Sequence, residues 1–181
     1  MAVYLGGSRS LAPSIQLRQV VIALLSAGQQ VHVGCSAGAD QQVIQVVLSR
    51  PSSFSQLSVH AAFGSGGQGS WSGSAVHAVQ SFARAGGSVS WWAGGGQQCP
   101  LVARLIQRSI AGLVGASAAV FFQPGPGSLA VASVAVSRGI PVFAFAASAP
   151  ALPRGVAGAW VRSSFQGFTC WSFQPAQARL F

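Results

Sequence analysis

The chain has 181 residues, half of them hydrophobic and only 6% charged, whereas about 25% charged residues is usual for soluble domains. A chain of this length suits one α/β domain that buries a substantial core. The formal net charge of +9 favours anionic partners such as nucleotides, nucleic acid or acidic surfaces. The arginines are scattered singly from Arg9 to Arg179, which excludes a dense basic tail.

Short apolar segments and helical patterns alternate along the chain. The predicted strands cover residues 2–6, 30–34, 57–63, 88–93, 117–123 and 140–146, and the predicted helices cover residues 14–27, 39–49, 73–85, 100–113 and 128–138. Ser14 is placed to cap the first helix, and Gly28 and Gly139 lie where helices should end. This alternation predicts an α/β fold with a doubly wound, mostly parallel, Rossmann-like sheet and helices on both faces.

The domain organisation follows from where the alternation stops. Residues 1–147 form the predicted core, and a Pro-rich loop begins at residue 148. Residues 148–181 carry several aromatic side chains and belong to the same domain, either as an edge hairpin or as a dimer-packing segment. We expect at least a homodimer, because a sparsely charged surface has little repulsion to prevent self-association.

The most apolar stretch of the chain, residues 129–147, contains Arg138 and Pro141. A charge and a helix breaker there argue against a membrane span, and the N-terminus lacks the pattern of a signal peptide. The cysteines are widely spaced, without the Cys/His spacing of a metal site. We therefore expect a cytoplasmic protein with reduced cysteines, no membrane partner, no metal and no cofactor.

Glycine-rich loops follow the first five predicted strands. They cover residues 6–10, 34–40, 64–70, 94–98 and 123–128. All five lie at the carboxyl ends of strands, the edge at which doubly wound folds bind ligands. Glycine lets a backbone approach an anion closely, and the following helix N-termini offer unpaired amides to phosphate. The loops predict a phosphate-bearing ligand.

Asp40 is the only carboxylate side chain in the chain, which has no Glu. It closes the second glycine-rich loop and opens a predicted helix. A carboxylate in the first turn of a helix is stabilised by the exposed amides and the positive dipole end there. Asp40 is therefore either a helix-capping group or a ligand contact, and it is the only candidate for a catalytic acid.

Three of these loops resemble the SLOG superfamily, which is named for the Smf/DprA DNA-processing proteins and the LOG phosphoribohydrolases. The motifs are Gly-Gly-Ser-Arg at residues 6–9, Gly-Cys-Ser-Ala-Gly-Ala-Asp at residues 34–40 and Pro-Gly-Pro-Gly-Ser at residues 124–128. The resemblance covers roughly residues 2–146. It is nearest to small stand-alone members with a DprA-like second loop.

The resemblance implies a nucleotide site at the carboxyl edge of the sheet. Arg9 would hold a phosphate, the second loop would line the nucleotide, and the fifth loop would cradle a phosphate. The implied ligand-binding residues are Gly7, Ser8, Arg9, Gly34, Ser36, Gly38, Asp40, Gly125, Gly127 and Ser128. The expected function is binding of a nucleotide or nucleotide-derived phosphate ligand, with catalysis not established.

Two alternative functions follow from the same resemblance. Sequence-independent binding of single-stranded DNA is the first, with Trp71 in a glycine-rich loop as the candidate for stacking on bases. Phosphoribohydrolase activity is the second and is disfavoured, because the glutamate of that branch corresponds to a position at or near Val131. Hydrolysis of an N-glycosidic bond needs stabilisation of the oxocarbenium charge and a proton source.

Other chemistry-bearing side chains are weaker candidates. Cys35 lies at a helix N-terminus, where a thiol pKa can fall, although a structural cysteine at a buried strand end is the favoured interpretation. His32 and His60 fall within predicted strands and are expected to make core hydrogen bonds. His77 follows the third glycine-rich loop and is the better functional candidate among the histidines.

Overall fold

The computed structural model describes residues 1–176 of the chain. Strands and helices alternate through most of this range. In chain order the elements are β1 (Ala2–Gly7), α1 (Ile15–Ser26), β2 (Gln30–Val33), α2 (Ala39–Leu48), a 3-10 helix (Pro51–Gln56), β3 (Leu57–His60), α3 (Val76–Arg84), β4 (Ser88–Ser90), α4 (Leu101–Gly112), β5 (Ala116–Phe122), α5 (Pro126–Ser137), β6 (Val142–Phe145), β7 (Gly158–Phe165) and β8 (Phe168–Pro175).

The strands form one eight-stranded sheet in the order β4-β3-β2-β1-β5-β6-β8-β7. Every pairing from β4 across to β6 is parallel. β8 pairs antiparallel with both β6 and β7, so the sheet is mixed. The prediction of an α/β fold with a mostly parallel sheet is confirmed. The strand order reverses between β1 and β5, which are neighbours although three strands separate them in the chain.

Two hydrophobic clusters lie on opposite faces of the sheet. Val3 and Leu5 of β1 join the cluster that contains the buried residues of α1, α2 and α3. Tyr4, between them, belongs to the cluster that contains the buried residues of α5. Because successive side chains of a strand point to opposite faces, α1 to α3 cover one face and α5 covers the other.

Local signals place the first and fifth helices. The hydroxyl of Ser14 accepts a hydrogen bond from the amide of Leu17 at 3.1 Å, so the predicted cap is confirmed. Gly28 and Gly139 follow α1 and α5 with φ of 69° and 70°, the left-handed conformation that glycine adopts at little cost. Both helices therefore end where the sequence predicts.

The fourth strand is shorter than predicted. β4 ends at Ser90, so Trp91 and Trp92 lie in the following turn rather than in the strand. Trp92 has a φ of 54°, and its ring lies 5.4 Å from the guanidinium of Arg104. Trp91 packs against Phe63, with 6.0 Å between ring centroids. Aromatic packing in this turn takes the two tryptophans out of the β ladder.

β7 and β8 form a hairpin that extends the sheet beyond β6. Trp160 and Phe173 of this hairpin are buried in the same cluster as α5, with ring centroids 5.3 Å apart. Of the predicted segment 148–181, residues 177–181 lie outside the described residues. No helix within residues 1–176 is long and apolar enough to cross a membrane.

Candidate functional site

A cavity of about 630 Å³ opens at the carboxyl ends of β1 and β5. The loop after β1 leads to α1 on one face of the sheet, and the loop after β5 leads to α5 on the other face. The two loops diverge, and this divergence leaves a crevice between them. α4 closes the third side of the cavity. The strand order therefore fixes the position of the cavity.

The structure brings most of the predicted ligand-binding residues to this cavity. Those that line it are Gly7, Ser8, Arg9, Ser36, Asp40, Gly125, Gly127 and Ser128. Gly34, Gly38 and Trp71 do not line it. Val131, at or near which the family resemblance places a glutamate, lines the cavity with an apolar side chain.

Asp40 forms a buried ion pair with Arg108 of α4. The guanidinium Nη1 donates to the carboxylate Oδ2 at 3.1 Å, and the amide of Ser36 donates to the same oxygen at 3.0 Å. The Nη2 of Arg108 donates to the hydroxyl of Ser36 at 2.9 Å. Asp40 is only 4% exposed and Arg108 only 6%. The single carboxylate side chain of the chain is thus neutralised by an arginine of α4.

Gly34 and Gly38 allow close packing around the second glycine-rich loop and do not line the cavity. A Cβ at Gly34 would overlap the guanidinium of Arg108, which crosses the end of β2 at this point. A Cβ at Gly38 would collide with the carbonyl of Ser8, and Gly38 has a φ of 75°. Both positions need glycine for the fold itself.

Gly125 and Gly127 differ from these two glycines. Among residues 1–176, a Cβ at either position would meet no atom within 4 Å beyond its chain neighbours and the adjacent backbone of its own helix. Gly125 has an ordinary φ of −91°, and Gly127 has no left-handed backbone. Neither the packing nor the backbone conformation of the chain therefore requires glycine at these positions. Both residues line the cavity at the start of α5.

The N-terminus of α5 presents free backbone amides to the cavity. Pro126 occupies the first turn, and no side chain in the described part of the chain caps this helix. The first amides of an α-helix have no partner within the helix and lie at the positive end of its dipole. The amides of Gly127 and Ser128 therefore offer an anion-binding position, and the exposed side chain of Arg9 lies on the rim of the same cavity.

Tyr4 lines the interior of the cavity. Burial raises the pKa of Tyr4 to about 12, although the nearby Arg108 acts in the opposite direction. Its hydroxyl is therefore protonated at neutral pH and can donate a hydrogen bond. Burial lowers the pKa of Arg108, but Cys35, Asp40 and Tyr4 outweigh it, so the net shift is upward and the guanidinium stays charged.

α4 turns its arginines toward the sheet and part of its apolar surface toward the cavity. Arg104 and Arg108, one helical turn apart, are both buried. Nη1 of Arg104 donates to the carbonyls of Ala62 at 2.6 Å and Gly69 at 3.0 Å, which holds the loop after β3. The aliphatic residues of α4 that line the cavity are Leu101, Val102, Leu105 and Ile106.

Sequence reasoning missed Tyr4, Arg104 and Arg108 as structural or site residues. The available signal was the pair of arginines one turn apart on the apolar segment 101–113, in a chain with a single acid. A buried arginine needs polar partners, and Asp40 was the only carboxylate side chain that could supply the charge. The contact joins residues far apart in sequence, so the pattern alone did not reveal it.

Cys35 is buried at the end of β2. Its sulfur accepts a hydrogen bond from the amide of Ala62 at 3.2 Å, and burial raises the pKa of its thiol. A buried thiol with a raised pKa is a poor nucleophile, which agrees with the structural interpretation of this residue.

The histidines lie away from the cavity. Nδ1 of His32 lies 2.9 Å from the carbonyl of Gly112, which confirms a core hydrogen bond. His60 does not fit that expectation, because its Nε2 is buried without a partner within residues 1–176. Burial and the nearby His32 lower the pKa of His60 to about 4. His77 is exposed on α3 and does not line the cavity.

Trp71 is partly buried, and its ring packs against Phe63 with 6.2 Å between centroids. Its indole Nε1 is buried without a partner within the described residues. The hydroxyl of Ser74 donates a hydrogen bond to the carbonyl of Trp71 at 2.6 Å, which fixes the backbone of this turn. The ring therefore contributes to the core rather than standing free in the loop.

Within residues 1–176, no group of three or more His, Cys, Asp or Glu side chains could hold a metal ion. Comparisons with protein-family models, with curated proteins and with solved structures found no significant match.

Proposed function

We propose that the cavity between β1 and β5 binds a nucleotide or a nucleotide-derived phosphate ligand. The observation that carries the proposal is the open start of α5, where Gly125 and Gly127 are not needed for the fold. Uncapped amides at a helix N-terminus are a suitable cradle for a phosphate. Arg9 on the same rim supplies a positive charge.

We assign the fold to the doubly wound, Rossmann-like class. The supporting observation is the reversal of strand order between β1 and β5, at which such folds bind their ligands. The positions of the glycine-rich loops at 6–10 and 123–128 support the resemblance to the SLOG superfamily. A homodimer and a cytoplasmic location remain predictions from composition.

The proposal is limited to binding. A phosphoribohydrolase needs an acid for the leaving base and a group that stabilises an oxocarbenium ion. Asp40 is the only carboxylate side chain, and Arg108 pairs with it. The single-stranded DNA alternative is weaker, because its stacking candidate Trp71 packs against Phe63 and the net charge of +9 favours nucleotides as well as DNA.

Thermal unfolding with adenosine monophosphate tests the proposal. We expect a rise in melting temperature that saturates with ligand concentration. Arg9→Ala should raise about tenfold the ligand concentration that gives half of this rise in melting temperature, as expected for the loss of one charge-assisted contact. Arg154→Ala is the matched control, since Arg154 is also exposed and does not line the cavity. Equal behaviour of both variants and the parent chain would contradict the proposal.

A further inference from the structure

The cavity has a polar rim and an apolar side. Arg9 and the start of α5 form the rim described above. The apolar side is formed by two sets of residues that face the same cavity. They are Leu101, Val102, Leu105 and Ile106 of α4, and Phe121, Ala130 and Val131 of β5 and α5. We call these seven residues the apolar wall.

The orientation of α4 accounts for the apolar wall. A helix that packs on a sheet ordinarily buries its aliphatic residues and exposes its charged ones. α4 buries Arg104 and Arg108 instead, because they hold the loop after β3 and the carboxylate of Asp40. Val102 is left 69% exposed and Ile106 38% exposed. These aliphatic side chains therefore contribute little to the core and much to the cavity surface.

We propose that the ligand is a phosphate ester whose apolar body packs on the apolar wall while its phosphate binds at the start of α5. The inference rests on the proposed function and narrows its ligand class. Charge complementarity supports this occupant: the rim offers a guanidinium and helix amides to an anion, and the wall offers no charged group to the rest of the molecule. Asp40 and Arg108 also line the cavity, but their charges neutralise each other. Burial of the ligand body removes apolar surface of both partners from water.

The wall selects ligands by the apolar area of the ester group. A sugar phosphate presents mainly hydroxyl groups to aliphatic side chains, which cannot replace the hydrogen bonds to water that those hydroxyls lose. An aromatic ester of similar size loses no such bonds. Phenyl phosphate should therefore bind more tightly than ribose 5-phosphate, and inorganic phosphate should bind through the rim alone.

Isothermal titration calorimetry with phenyl phosphate, ribose 5-phosphate and inorganic phosphate tests the inference. We expect phenyl phosphate to bind about tenfold or more tightly than ribose 5-phosphate, given the apolar area of a phenyl ring. Equal affinities, or tighter binding of ribose 5-phosphate, would overturn the inference while leaving the proposed function intact. Absence of binding by all three compounds, together with no response to adenosine monophosphate, would overturn both.

Two matched variants test whether the apolar wall is responsible for the affinity for phenyl phosphate. Val102→Ser should weaken phenyl phosphate binding about threefold to tenfold, with little effect on inorganic phosphate. Val114→Ser is the control, because Val114 is 65% exposed and does not line the cavity. Both positions are too exposed for the variants to unfold the chain. If Val102→Ser changes only the oligomeric state in sedimentation, the wall is an interface between copies and the inference fails.

Discussion

The guanidinium of Arg108 lies 3.1 Å from the carboxylate of Asp40, and this ion pair joins α4 to α2 across the end of β2. The two residues lie on helices that are separated in the chain by α3 and two strands. Their pairing is possible because Gly34 has no side chain at the point where the arginine crosses. The only acidic side chain of the chain thus links two helices at the edge of the cavity.

Arg108→Met should destabilise the fold strongly. Removal of one partner leaves the other as an uncompensated buried charge, at a cost of about 3–5 kcal/mol in the free energy of unfolding. The double variant Arg108→Met with Asp40→Leu should recover part of this loss, since neither member of the pair then remains as an unpaired buried charge. Urea denaturation measures both variants. A loss below about 1 kcal/mol for Arg108→Met would mean that the ion pair contributes little to the free energy of unfolding.

Substitution by alanine should affect stability differently at Gly127, which has room for a side chain, and at Gly34, which has none. Gly127→Ala should leave the free energy of unfolding unchanged or raise it by up to about 1 kcal/mol, because alanine favours a helix and has room. The same variant should weaken phosphate binding, since its methyl group enters the ligand position.

Gly34→Ala should show the reverse behaviour. Its methyl group would overlap the guanidinium of Arg108, and overpacking of this kind costs about 1–3 kcal/mol. Denaturation and ligand titration of Gly34→Ala and Gly127→Ala together separate a structural glycine from a ligand-facing one. Similar stability losses in the two variants would remove the distinction.

The stability of the chain should fall as pH decreases from about 6.5 toward 4. The pKa of His60 is lowered to about 4 in the folded chain, from 6.5 when exposed. Between these values the unfolded state binds more protons, so acid favours unfolding, and no stability from this group is lost above pH 6.5. His60→Gln should flatten the pH dependence in denaturation experiments. An unchanged slope would indicate that His60 does not carry it.

Tyr4 is the only tyrosine, so the absorbance of tyrosinate reports on this residue alone. Its folded pKa of about 12 exceeds the ordinary value of 10. The stabilisation linked to this shift is complete below pH 10 and is lost as pH rises toward 12. Spectroscopic titration should give an apparent pKa well above 10 until the chain unfolds. A titration midpoint of 10 in the folded chain would contradict the burial of this hydroxyl.

Local sequence patterns predicted much of the fold because they depend on near neighbours. The apolar spacing of Leu17, Val20, Val21 and Leu24 produces the buried face of α1, and Ser14 caps it. The same patterns could not give the antiparallel pairing of β8 with β6, which depends on long-range contacts of aromatic residues.

The candidate site was only partly predictable. Loop position at the carboxyl edge of the sheet brought Arg9, Asp40 and Gly127 toward one cavity. The partner of Asp40 was not predictable, because Arg108 lies on a helix far along the chain and a local pattern does not reveal such a contact. Nor could the sequence separate glycines that the fold needs from those that line the cavity with room for a side chain.

The most direct test of the proposed phosphate site is the change in backbone amide chemical shifts on titration with adenosine monophosphate. We expect the largest saturable changes at Gly127 and Ser128, with Arg9 also affected. Changes confined to the β7–β8 hairpin, or no saturable change at the start of α5, would contradict it.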